Sequence, residues 1–262
     1  MTAQKKMSTK PLCKEVNLRL LRRFWQSFGY LAAFVAAMTC LSLIYIEGAH
    51  LSLVKPSNQL EFLTLPEHIP SVWDIVRPAV AASWVMPLLV LLVQVLLTGG
   101  FFGTLLRMNL RQQVNANTFA SDSIRSFIRL LIWTLLWDLL SLLVTSLSRL
   151  MYPLGVTAAI ALFAMRFAFL FGSIALVSEQ GVPFGKALGA AGKTMLARFV
   201  PMLPYGLGMA LLTGVSMAIT ASLPTAVIVV LSVVYTTLMT WLWHMVVARY
   251  LFYSRPLTGD AS

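Results

Sequence analysis

The chain has 262 residues, of which 58% are hydrophobic and 11% charged, and its formal net charge is +11. Soluble domains carry about 25% charged residues, so a chain with a mean hydropathy of +0.81 cannot cover a globular surface of its own and belongs in a membrane. Nucleic acid is not implied by the basic excess, because most Lys and Arg flank apolar runs, where they set topology and meet anionic head groups.

Residues 1–27 read as a basic N-terminal segment. Val16, Leu20, Leu21, Phe24, Trp25 and Phe28 follow helical spacing while Arg19, Arg22 and Arg23 fall together elsewhere. That pattern predicts an interfacial helix whose arginines contact anionic phospholipids. A transmembrane domain follows over 28–248, with apolar windows long enough to cross the hydrocarbon core at 28–46, 79–101, 127–147, 154–177, 201–222 and 225–248. The first is read as retained rather than cleaved, since Met38 and Thr39 are poor residues ahead of Cys40 and the run continues to Ile46. Between spans one and two, the segment from Glu47 to Trp73 carries Glu47, Glu61, Glu67 and prolines 56, 66 and 70, with Asp74 just beyond. Its composition reads as a solvated connector.

Sixteen of the twenty Lys and Arg residues lie on one side of these spans and three (Lys55, Arg77, Arg149) on the other. The positive-inside rule therefore puts both termini, including the tail 249–262, in the cytoplasm of a multi-pass inner-membrane protein. Short amphipathic stretches precede spans one, three and five. In the second of them Ile124, Phe127, Ile128 and Leu131 form the stripe beside Arg125 and Arg129. In the third, Phe184, Leu188, Ala191, Met195 and Phe199 do so beside Lys186 and Lys193. The expected fold is all-α: six transmembrane helices as three hairpins, each preceded by a cytoplasmic interfacial helix whose cations face anionic lipid.

Two ionisable residues lie inside spans. Asp138 stands thirteen residues before the turn near Met151 and Arg166 fifteen after it. At about 1.5 Å per residue they share a depth, which predicts an intramembrane ion pair. The flanking Trp133 and Trp137 read as aromatic packing, and Trp243 and His244 lie near the inner end of span six, where an interfacial position explains His244. Gly206, Ala210, Gly214 and Ala218 recur every four residues in span five and predict a helix-packing seam, inside the bundle or at a homodimer face. Cys13 and Cys40 read as free thiols. No metalloprotease, nucleophile-elbow or phosphate-loop signature is present, so no catalytic residue, metal or cofactor is expected.

The basic "RRFWQSF" ahead of span one, "LLTGGFFG" closing span two and "LVSEQGVPFGKALGAAGKTMLARF" between spans four and five carry a resemblance. The order is similar to a family of uncharacterised six-span bacterial inner-membrane proteins. More broadly it resembles the membrane domain attached to some glycerophosphoryl diester phosphodiesterases. Glu179, Gln180 and Gly181 match that group's polar turn, and Phe184 to Phe199 its small-residue helix. Without the soluble phosphodiesterase domain, the resemblance implies a membrane protein with no defined activity. The functional expectation is a non-enzymatic protein of envelope or lipid homeostasis that binds lipid or a membrane-protein partner. The alternative is a small-molecule transporter or permease-like subunit using Asp138 and Arg166.

Overall fold

A computed structural model describes residues 39, 53–54, 65–78, 85–220 and 225–254. The expected first span, the N-terminal helix with Arg19, Arg22 and Arg23, and residues 255–262 of the tail lie outside the described residues, apart from Thr39, which is helical and buried; residues 249–254, expected in the tail, instead continue the last helix. Five helical stretches are long and apolar enough to cross a membrane. They correspond to the second through sixth expected spans.

Helix α1 (Val85–Asn109) runs on past the end of its hydropathy window at 101. Helix α2 (Ala116–Leu150) runs 35 residues, roughly 50 Å, far more than a bilayer core requires. The reason is local: no Gly or Pro interrupts 116–150. A reciprocal cap also fixes its start, with Asn115 Oδ1 accepting from Thr118 N at 2.8 Å and Thr118 Oγ1 from Asn115 N at 3.0 Å. The expected separate interfacial helix before span three is therefore the first part of the span itself.

Helices α3 (Tyr152–Ala168) and α4 (Gly172–Ser178) make one interrupted span, with a break at 169–171. Gly181 and Pro183 stop α4 from continuing and leave α5 (Phe184–Ala197) as a separate amphipathic helix, as the sequence predicted. Helices α6 (Phe199–Thr220) and α7 (Thr225–Ser254) complete the bundle. A two-residue antiparallel pairing joins β1 (Leu53–Val54) to β2 (Arg77–Pro78).

Outward faces of the helices are apolar and open; on α2, Leu139 and Leu142 are 68% and 66% exposed, as lipid-facing side chains must be. Inside, α1 and α2 approach closely. A methyl group added at Gly99, Gly100 or Gly103 would strike Ser126, Phe119 or Asp122, so "TGGFFG" is where the two backbones meet. Arg107 closes this contact by donating from Nε and Nη2 to the two carboxylate oxygens of Asp122, at 2.7 and 2.9 Å.

On α6 the expected small-residue seam lies inside the bundle only in part. Gly206 and Ala210 are buried, with Gly206 against the Phe167 ring, but Gly214 is half-buried and Ala218 exposed. Four-residue steps on a helix of 3.6 residues per turn drift by about 40° each, so the row rotates out of the contact. The buried face instead follows Met202, Gly206, Met209, Thr213, Ser216 and Thr220. Trp243 and His244 are both buried against neighbouring helices. Trp243 is fully buried, edge-on to Phe102 at 4.9 Å, and His244 Nδ1 lies 3.4 Å from Asn109 Nδ2.

Candidate functional site

The segment Leu65 to Val76 is no solvated connector. Leu65, Ile69 and Val72 are fully buried, and Ile75 and Val76 nearly so. Backbone contacts locate the descent. Arg166 Nη1 donates to Leu65 O at 3.4 Å, Ser173 Oγ to Glu67 O at 3.0 Å, and Ile69 N donates to Thr98 Oγ1 at 3.0 Å. Thr98 lies near the middle of α1, and Ser173 lies just past the break in the fourth span. The chain then turns through a 3₁₀ element at Val72–Asp74 and climbs back, where Thr220 Oγ1 at the end of α6 donates to Ile75 O at 2.7 Å. An apolar interior tolerates irregular backbone only where its polar groups are answered by protein, and here side chains from α1, α3, α4 and α6 answer them. Pro66 and Pro70 have no N–H to satisfy, and each biases the residue before it toward extended backbone. The stretch "LPEHIPSVWD" is thus suited to a non-helical passage through a bundle.

This passage carries three ionisable side chains inward. Glu67 faces the indole edges of Trp133 and Trp137, with Arg166 close enough to act on its charge. His68 Nε2 lies 2.9 Å from Asp74 Oδ1, and 30% of the His68 side chain is open. Asp74 Oδ2 accepts from Ser71 N at 2.9 Å and from the Tyr235 hydroxyl at 3.2 Å, and Tyr235 in turn meets Thr213 Oγ1 at 3.2 Å. All three belong to the connection and not to a spanning helix. Burial raises the Glu67 pKa to about 8, against the opposing pull of Arg166, and raises Asp74 to about 7 against the hydrogen bond from Ser71 N. Burial, joined by the Arg166 charge, lowers His68. The cluster is therefore held toward its neutral forms beside one permanent cation.

The ion pair expected between Asp138 and Arg166 is replaced by other contacts. Arg166 Nη2 donates to Ser141 Oγ at 2.9 Å, and its guanidinium stacks 5.4 Å from the Trp137 ring centroid. Asp138 is exposed on the outer face of α2, and no ion pair joins it to Arg166 among the described residues. The depth argument put the two residues within electrostatic reach but could not say which way each side chain turns. Trp133 and Trp137 do pack as a T-shaped pair, 5.0 Å apart. Of the expected lipid-facing cations, Arg125, Lys186 and Lys193 are exposed. Arg129 instead clasps the turn after α4, donating to Glu179 O at 2.8 Å and Val182 O at 3.0 Å.

Sequence reasoning missed Glu67, His68 and Asp74 as interior groups. The signal available was the row of apolar residues at 65, 69, 72, 75 and 76 in a segment too rich in proline to be helix. Among the described residues, no group of His, Cys, Asp and Glu is arranged to hold a metal ion. Compared with known family models, curated proteins and solved structures, the chain matches none.

Proposed function

We propose that this is a multi-pass inner-membrane protein, both termini cytoplasmic, that moves a small solute or ion past a re-entrant segment. One observation carries the reading: a non-helical stretch bearing Glu67, His68 and Asp74 descends to the middle of the bundle, beside Arg166 and the break in the fourth span. Ionisable groups at that depth are costly and ordinarily mark a pathway. Broken spans with irregular backbone at mid-depth are how many transporters build their sites. The working charges in this reading are Glu67, His68, Asp74 and Arg166, with Asp138 no longer central.

The reading of a non-enzymatic lipid- or partner-binding protein, as the phosphodiesterase-like resemblance implies, keeps one supporting feature. Lys186 and Lys193 are exposed on α5 together with Leu196, a face suited to anionic phospholipid.

The two readings differ in water access. In a chain with Cys13 and Cys40 changed to Ser, a His68→Cys thiol is expected to react with a membrane-impermeant maleimide in intact or inverted vesicles. A thiol at 68 that stays unlabelled from both sides, in protein that folds normally, would mean a dry structural plug and end the transport reading.

A further inference from the structure

We propose that the outer face of α2 around Asp138 is a docking surface for a transmembrane helix of a different protein, one that carries Lys or Arg at mid-span. The inference needs only that the chain lies in a membrane, and it stands apart from how the re-entrant site works. Asp138 lies thirteen residues before Met151, where α2 ends, which is about 20 Å along the helix and well inside the hydrocarbon core. It is exposed on the outside of the bundle, among Leu135, Leu139 and Leu142 at 47%, 68% and 66% exposure. No hydrogen bond or ion pair reaches it among the described residues. A Lys or Arg at that depth can carry its charge to the head groups on a long stem, but the short Asp side chain cannot. Left in lipid, the carboxyl stays unanswered, which is costly.

This chain has no spare cation to answer it. Across the six apolar windows the only Lys or Arg residues are Arg129, at the rim of its window, and Arg166. Arg129 holds the turn after α4, and Arg166 is bonded to Ser141 Oγ and Leu65 O. A second copy would bring no further cation at that depth. Copies related by an axis along the membrane normal would set Asp138 against Asp138, like against like. The complementary cation therefore comes from another chain.

The face also has the pattern of a helix-packing surface. Leu135, Asp138, Leu142 and Thr145 alternate at three and four residues and all four are exposed, which is the spacing of a left-handed helix pair. One polar group in such a row fixes the partner and the register at some cost in stability. Helix α2 has the room: 17% of its apolar window is buried inside the protein, against 39% to 50% in the other four described spans. Lipid alone would be met as well by Leu at 138, and the fold draws no direct bond from the carboxylate. Docking is the use that accounts for an acid at this place.

The test places the full chain, labelled at its C-terminus with a donor dye, in liposomes with synthetic spans of about 20 Leu and Ala residues bearing an acceptor dye. One span has Lys at its centre and the other Leu. Energy transfer is expected to show the Lys span associating about ten-fold more tightly, the scale of one good polar contact between membrane helices. Asp138→Asn should abolish that preference while melting as the wild type does, and Asp138→Lys should transfer it to a span with a central Asp. No preference for the Lys span, or one that survives Asp138→Asn, overturns the proposal and leaves the carboxyl facing lipid or already covered. Energy transfer between differently labelled copies of the protein that is lost in Asp138→Asn would make the occupant a second copy, and overturns it equally.

Discussion

Arg166 illustrates how a side chain's contacts can differ from its predicted partner at the same depth. Its guanidinium bonds Ser141 Oγ and Leu65 O, lies against Trp137 and acts on the Glu67 charge, so it ties α2, α3 and the re-entrant segment together. Asp138 contributes no direct bond to that arrangement and turns outward. Removing the two groups should therefore have unequal effects. Asp138→Asn is expected to change thermal stability in detergent by no more than about 0.5 kcal/mol, as for an outward side chain that feels Arg166 only through space. Arg166→Gln should cost about 1.5–3 kcal/mol, the scale of a lost charged hydrogen-bond donor. The double variant should be no more stable than Arg166→Gln alone. Recovery in the double variant would instead mean that the two charges answer each other directly. Depth and residue type at these positions were legible in the sequence. The χ angles that direct Arg166 toward Ser141 were not, because they depend on which helices surround it.

For the elements, hydropathy was sufficient where burial in lipid fixes length and composition, and insufficient where polar groups are satisfied by distant parts of the chain. The five described spans fall where their apolar windows lie, and α5 stands apart because Gly181 and Pro183 break the helix before it. Nothing in "LPEHIPSVWD" alone identifies Thr98, Ser173, Thr220 and Arg166 as its hydrogen-bond partners. These come from positions 29 to 145 residues distant. The re-entrant segment should depend on them accordingly. Thr98→Val keeps the shape of the side chain but removes the acceptor for Ile69 N–H, leaving a buried donor unanswered at a cost of about 1–3 kcal/mol. Thr98→Ser retains the oxygen and should be near wild type. The measurement is the apparent melting temperature of the two purified variants, with limited proteolysis near residue 70 reporting whether the segment stays seated. Equal stability of the Val and Ser variants would count against the segment being held from α1.

For the molecule as a whole, three titratable groups gathered in one interior place should make stability depend on pH in a defined direction. Glu67 and Asp74 have folded pKa values raised to about 8 and about 7, so the folded state binds protons more tightly than the unfolded one. Their stabilising contribution is complete below the unfolded carboxylate values. It declines as pH rises through the folded ones, to about 8 for Glu67. His68 is lowered and acts in the opposite sense, adding stability as pH rises toward its ordinary value of 6.5. Two carboxyls outweigh one imidazole, and above 6.5 only the carboxyls remain in play. The melting temperature in detergent is expected to fall between neutral pH and about 8, and Glu67→Gln should flatten that fall. A melting curve that rises over the same interval would mean that Glu67 is ionised and paired in the folded protein.

By itself the sequence determined that this is an all-helical membrane protein, where its five described spans lie and where its basic residues cluster. Those properties follow from local apolar length, helix-breaking residues and charge, each readable within about 20 positions. Only the tertiary structure decided that α2 absorbs its interfacial helix, that Arg129 is a clasp rather than a lipid contact, and that Glu67, His68 and Asp74 are interior groups. Each of those depends on hydrogen-bond partners far along the chain, and a buried polar group is tolerated only where the fold brings such a partner to it.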